Sequence, residues 1–155
     1  MKLLIFSDSH GNVANMEDAV RLERPDRILH LGDLVRDAQS LQEKFPEIPV
    51  TFVPGNCDGY RPDLPDQRIF TLEGCKLLMT HGHIYQVKMG AWAAIRAARE
   101  AGAGLLFFGH THEAFCEFKN GLWVVNPGSI GSLARPTYAV AILVEDGAVC
   151  YLSDA

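Results

Sequence analysis

Apolar and polar positions alternate along the chain in short blocks, and the period of each block predicts its backbone. Lys2–Phe6, Arg27–Leu31 and Val50–Val53 are nearly continuous apolar runs of strand length, the pattern of strands covered on both faces of a parallel sheet. Between the first two, Val13–Leu22 carries Val13, Met16, Ala19 and Val20 at helical spacing. It follows Asn12, a side chain suited to cap a helix N-terminus. Ala38–Phe45 predicts a second helix. The chain therefore opens strand, helix, strand, helix, strand.

The pattern then shifts. Arg68–Leu72 and Lys76–Thr80 predict two short strands joined through Glu73-Gly74. The Ala-rich segment Met89–Glu100 predicts a helix with Trp92 and Ile95 on one side, ended by Gly102. After the run Leu105–Phe108, Phe115–Phe118 and Leu122–Val125 flank Asn120-Gly121, while Tyr138–Val144 and Val149–Leu152 flank Asp146-Gly147. Both dipeptides favour tight hairpin turns, so this region reads antiparallel. The expected class is α/β with two sheets packed on one another. No repeat, low-complexity tract or linker interrupts the alternation, and residues 1–155 read as one domain.

Composition narrows the partners. With 155 residues, 48% of them hydrophobic and 21% charged, the chain matches a globular protein rather than a disordered one. Its apolar runs, such as Ala139–Val144, fall far short of the ~20 residues that cross a bilayer. The opening MKLLIFSDSHG holds too short an apolar stretch for a signal peptide, so the expected location is the cytoplasm, with no membrane partner. A net charge of −5 offers no general attraction to nucleic-acid backbones. A small substrate is the expected partner, with a homo-oligomer left open. Cys57, Cys75, Cys116 and Cys150 lie far apart without a CxxC pair and read as reduced thiols, the last three as small buried hydrophobes.

The chemistry sits just past strand ends. Asp8 and His10 follow LLIF, Asp33 follows RILHLG, Asn56 follows VTFVPG, His81 follows LLMT, and His110 and His112 follow LLFFG. Ligands of open α/β sheets bind beyond the carboxyl ends of strands, so these seven side chains are expected to converge. Two carboxylates, four imidazoles and one amide, with no thiolate, suit two divalent ions of borderline softness. Mn is the first expectation, with Ni, Co, Fe or Zn as alternatives. Seven donors give each ion four protein ligands only if one carboxylate bridges. Two ions ~3.5–4 Å apart hold a hydroxide at neutral pH and clamp phosphoryl oxygens during in-line attack. Phosphoester hydrolysis is the matching reaction.

The motifs Asp8-Ser9-His10, Gly32-Asp33, Gly55-Asn56-Cys57-Asp58, His81-Gly82-His83 and Gly109-His110-Thr111-His112 occur in this order. Together they resemble the calcineurin-like metallophosphoesterases across essentially the whole chain, specifically the small bacterial and archaeal phosphodiesterase branch that includes the retromer subunit of eukaryotes. The resemblance implies a two-sheet β-sandwich flanked by helices, in four αββα layers. It implies one ion on Asp8, His10, Asp33 and His112, and a second on Asp33, Asn56, His81 and His110, with Asp33 the bridge. Asp33, Asn56 and His81 are then the expected catalytic set. Asn126-Pro127-Gly128-Ser129 looks like the family's turn near the site.

The implied reaction is phosphodiester hydrolysis. Phosphomonoester or nucleotide pyrophosphate hydrolysis, and a protein-binding scaffold with a weak or unused metal site, are the alternatives. In one place the chain departs from the pattern. Many larger members carry His after the Asn ligand to protonate the leaving group, and here Cys57 stands there. Slow turnover of esters with poor leaving groups is therefore expected. Of the remaining polar residues, His30 reads as a hydrogen-bonded core side chain and Asp58 as a loop-former. His83 reads as a contact to a ligand or to phosphate, and Arg135 as a solvated side chain within reach of a phosphate oxygen. Trp92, Trp123 and Tyr138 are expected to pack. No inserted cap is evident, so the site is expected to be shallow and open.

Overall fold

In the computed structural model, which describes residues 1–145 and 147–155, the first strand shows why the apolar runs are continuous. Leu3, Leu4, Ile5 and Phe6 of β1 (Lys2–Phe6) are all fully buried. Successive side chains of a strand point to opposite faces. Leu3 and Ile5 enter a cluster between the two sheets, while Leu4 and Phe6 pack with helical residues on the other side. β6 (Leu105–Phe107) repeats the device, with Leu105 and Phe107 between the sheets and Leu106 turned toward a helix.

The remaining elements are α1 (Val13–Glu23), β2 (Arg27–His30), α2 (Val35–Lys44), β3 (Val50–Phe52), β4 (Gln67–Leu72), β5 (Cys75–Thr80), α3 (Trp92–Glu100), β7 (Phe115–Lys119), β8 (Leu122–Asn126), β9 (Thr137–Val144) and β10 (Gly147–Asp154). They build two five-stranded sheets, ordered β10-β9-β1-β2-β3 and β4-β5-β6-β8-β7. Within the first, β1, β2 and β3 are parallel, with Leu4 opposite Ile28 and Ile28 opposite Val50. β9 joins antiparallel to β1. α1 and α2 cover the outer face of this sheet through Met16, Ala19, Val20 and Leu41, and α3 covers the other sheet through Ala94 and Ala98. The layers are αββα, as the motifs imply.

Four local expectations are corrected. α2 begins at Val35 rather than Ala38, because the Asp58 carboxylate accepts the Val35 N–H at 2.8 Å and so caps the helix from a distant loop. α3 begins at Trp92 rather than Met89, since Gly90 at φ +133° separates it from the single 3-10 turn Val87–Met89. Trp92 does not pack; it is 68% exposed and the core face of its helix is alanine. The region after β6 is not purely antiparallel either. β8 lies parallel to β6 because its buried Leu122, Val124 and Val125 fill the sheet interior, while the largely exposed β7 takes the edge.

The two hairpins β4–β5 and β7–β8 turn at Glu73-Gly74 and Asn120-Gly121, where every φ is positive (+50°, +77°, +51° and +78°). That is the backbone of a type I′ turn. The turn expected at Asp146-Gly147 includes Asp146, which lies outside the described residues. All four cysteines are free thiols. No helix among the described residues is long and apolar enough to cross a membrane.

Candidate metal centre

The loops leaving β1, β2, β3, β5 and β6 meet at one pole of the sandwich, where Asp8, His10, Asp33, Asn56, His81, His110 and His112 are brought together. Five of the seven hold a left-handed backbone: Asp8 at φ +55°, His10 +45°, Asp33 +54°, His110 +70° and His112 +62°. For a residue with a Cβ this conformation costs about 1 kcal/mol or more, and such strain concentrates at functional sites. Main-chain bonds maintain it. Asp8 N–H donates to the Gly32 carbonyl at 2.9 Å and His10 N–H to the Asp33 carbonyl at 3.0 Å, so the first two loops are stitched together. Gly55 and Gly109 are required by close approach, since a Cβ would collide with the Asp33 carboxylate at the first, and with the Ser7 hydroxyl and then the Asp8 carboxylate at the second.

Both buried carboxylates divide their oxygens in the same way. Oδ2 of Asp8 accepts from the Ser7 hydroxyl and, at 3.1 Å, from the His110 N–H. Its Oδ1 has no hydrogen-bond partner and is buried. That oxygen lies 3.1 Å from His112 Nε2, 3.7 Å from His10 Nε2 and 3.8 Å from His81 Nε2. Asp33 Oδ1 accepts the Cys57 N–H at 2.9 Å, which leaves Oδ2 facing His81 Nε2 at 3.4 Å and His10 Nε2 at 4.0 Å.

His81 is fully buried, and its Nδ1 lies 2.8 Å from the Leu31 carbonyl oxygen. A carbonyl only accepts, so Nδ1 carries the proton and Nε2 presents its lone pair in the neutral ring. Nε2 in turn faces Asn56 Oδ1 at 3.1 Å, His110 Nδ1 at 3.2 Å and the Asp33 carboxylate. Acceptors thus converge on one small space, and a polar atom buried without a partner costs about 1–3 kcal/mol. Cations remove that cost, so the donor set fits metal ions. Two groups of three donors each gather within 4.8 Å: Asp8, His10 and His112, and Asp8, Asp33 and His81.

Electrostatics follow the same geometry. Burial opposes ionisation of Asp33, but the His81 ring beside it and the Cys57 N–H outweigh it and hold the carboxyl well below the usual range. Burial likewise disfavours charge on His81, yet Asp33 and Asp8 beside it raise its pKa. Burial and the neighbouring His81 lower that of His110.

A shell of supports was only partly legible in the sequence. His30 is fully buried and accepts the Gly32 N–H at Nδ1 (3.1 Å), so its Nε2–H points to Ser9 Oγ at 2.9 Å. Ser9 Oγ donates to Asp37 Oδ2 at 2.7 Å, and Asp37 also accepts the Gly11 N–H at 2.7 Å. This chain holds the backbone on both sides of His10. Burial pushes the His30 pKa down to about 4, which keeps the ring neutral. Asp58 accepts the N–H groups of Asp33 (3.0 Å), Val35 (2.8 Å) and Gly55 (2.8 Å), tying two ligand loops together. The Asn126–Ser129 turn braces two more: Asn126 Nδ2 donates to the Gly109 carbonyl at 3.2 Å, and Ser129 Oγ donates to the Asp8 carbonyl at 2.8 Å. Ser7, Ser9 and Asp37 carry no signal of these roles beyond the adjacency of the two serines to Asp8.

Cys57 is exposed, and burial together with the Asp33 carboxylate raises its pKa. His83 stands beside the centre, its ring centroid 5.5 Å from that of His81 and 6.3 Å from that of His110, with Nδ1 buried and unpartnered. Arg135 is an exposed side chain whose Nε bonds Asp154 at 3.2 Å.

Comparison with known proteins agrees with the geometry. Residues 1–146 match the calcineurin-like phosphoesterase superfamily domain. A probable metallophosphoesterase of Bacillus subtilis, YsnB, is 34% identical over 99% of this chain and 91% of its own length. A phosphodiesterase of Methanocaldococcus jannaschii is 26% identical over 83% of each chain. The crystal structure of Chaetomium thermophilum Vps29 shares the fold, with a TM-score of 0.81 at 18% identity, covering 99% of this chain and 90% of that one. On its sequence, its αββα layers and its converging donors, this chain belongs to the calcineurin-like phosphoesterase superfamily.

Proposed function

We propose that residues 1–155, as one domain, form a phosphodiesterase that works through two divalent metal ions. Asp8, His10, Asp33 and His112 hold the first ion and Asp33, Asn56, His81 and His110 the second, Asp33 bridging. The observation that carries this reading is the buried, unpartnered Asp8 Oδ1 facing three imidazole nitrogens. When bound, such an ion pair supplies a hydroxide at neutral pH and neutralises the phosphoryl oxygens. The chain's own part is positioning. Leu31 keeps the His81 Nε2 lone pair inward, and Ser7 and the His110 N–H turn Asp8 Oδ1 toward the centre. Cys57, directly after Asn56, takes the position at which many larger members of the family carry His to protonate the leaving group, and a thiol serves that role weakly. The phosphodiesterase of M. jannaschii supports diesters over monoesters and pyrophosphates.

The test is hydrolysis of bis(p-nitrophenyl) phosphate by the purified protein with and without Mn, read beside elemental analysis. Activity is expected to require the metal and to fall at least about 10²-fold in Asp33→Ala and His112→Ala. Full activity in chelator, or in the Asp33 variant, would remove the mechanism. Metal uptake without turnover of any ester would favour a scaffold.

A further inference from the structure

The candidate centre lies between two grooves at opposite edges of the sandwich. One, of about 450 Å³, is walled by His112, Ser132, Arg135, Thr137 and Asp154, beside β9 and β10. The other, of about 430 Å³, is walled by Asn56, Tyr60, Arg61, Asp66 and His83, beside β3 and β4. They share no residue. The sheet orders β10-β9-β1-β2-β3 and β4-β5-β6-β8-β7 set β1, β2, β5 and β6 between them, and the loops after those strands carry Asp8, Asp33, His81 and His110. From β9 to β3 is three strand spacings, roughly 14 Å. A chain of side-chain contacts crosses that distance: His112 to Asp8 at 3.1 Å, Asp8 to His81 at 3.8 Å, and His81 to Asn56 at 3.1 Å.

Each groove opens directly onto one end of the donor row, and each volume lies within the range of small-molecule sites. Neither has a surplus of positive charge. Arg135 is paired with Asp154 at 3.2 Å and Arg61 with Asp63 at 3.0 Å, and Asp66 adds a carboxylate to the second groove. Such walls suit polar, uncharged groups and disfavour a chain of further phosphates. Tyr60 is 90% exposed and offers a ring face to a planar group.

Resting on the phosphodiesterase reading, we infer that the substrate is an open-chain phosphodiester with a nucleoside-sized, uncharged arm on each side of phosphorus. One arm lies in the Arg135 groove and the other against Tyr60. A cyclic mononucleotide, whose two ester oxygens belong to one sugar, fills one groove only.

The test measures inhibition constants against bis(p-nitrophenyl) phosphate turnover by the Mn-loaded protein, which separates occupancy from leaving-group chemistry. Thymidylyl-(3′→5′)-thymidine is expected to inhibit with a Ki at least about tenfold below that of 3′,5′-cyclic thymidine monophosphate, the scale of one base stacked on an aromatic ring. Tyr60→Ala and Arg135→Ala, one in each groove, are each expected to raise the dinucleoside Ki about fivefold or more, and by a larger factor than the Ki of inorganic phosphate. Equal Ki values for the open and cyclic compounds, or variants that shift dinucleoside and phosphate alike, overturn the inference while the phosphodiesterase reading stands. Failure to cleave bis(p-nitrophenyl) phosphate under any metal overturns that reading, and this inference with it.

Discussion

Ser9 Oγ lies 2.9 Å from Nε2 of the fully buried His30, and the burial of that ring makes acid stability depend on a residue outside the donor set. The native pKa of about 4 is below the ordinary histidine value near 6.5. Between those values the unfolded chain binds a proton that the native one refuses, so stability rises with pH across the window. It is complete above pH ~6.5 and falls as the pH drops toward ~4, by about 3 kcal/mol in total. Urea melts at a series of pH values are expected to show this limb in the native sequence and its loss in His30→Gln. Asp33, with its carboxyl held low, acts in the same direction in a more acidic window: its contribution is present above the ordinary carboxylate pKa and is lost as the pH falls below it.

The exposed His10 occupies φ +45°. Glycine adopts that backbone at no steric cost, whereas alanine retains the strain. His10→Gly is therefore expected to be about 0.5–1 kcal/mol more stable than His10→Ala in thermal melts without metal. Both are expected to lose bound metal by elemental analysis. Equal stability of the two variants would show that the left-handed backbone carries no strain at this position.

Asp58 is expected to matter for stability and metal affinity together, since it holds the N–H groups of Asp33, Val35 and Gly55. Asp58→Ala leaves three donors unpaired and is expected to cost about 2–4 kcal/mol in urea. It is also expected to weaken metal binding in a competition assay, because the Asp33 backbone loses its anchor. Asp58→Asn keeps one acceptor oxygen and is expected to fall between.

Cys57→His tests the leaving-group step. General acid help is worth about 10²–10⁴-fold where the leaving group is poor. The variant is expected to speed hydrolysis of dialkyl phosphodiesters and to change bis(p-nitrophenyl) phosphate turnover little. Unchanged rates on both would mean that protonation of the leaving group does not limit the hydrolysis.

Much of the fold was legible because the central strands of both sheets are buried on both faces, so that Lys2–Phe6 and Leu105–Phe107 are continuous apolar runs with a polar ligand just beyond. The gathering of the seven donors was legible for the same reason, each standing at a strand end. What escaped was set by contacts between distant segments. The Asp58 cap that starts α2 early acts across more than twenty residues, and Asp37 gives no local sign that it braces Ser9 and Gly11. The parallel pairing of β8 with β6 depends on which of two adjacent strands buries more apolar surface, which a hairpin signal does not reveal. Trp92 was expected inside from its residue type, but the buried positions of α3 are Ala94 and Ala98, and Trp92 lies on the exposed side.

The Glu73-Gly74 and Asn120-Gly121 turns lie at the starts of β5 and β8, while the centre lies at the other ends of these strands. Chemistry and chain reversal are therefore segregated to opposite ends of the molecule. A reporter peptide spliced into Asn120-Gly121, or a surface tether attached there, would leave the reactive end facing solvent and its loops untouched, which makes that turn the natural handle for immobilising an active form.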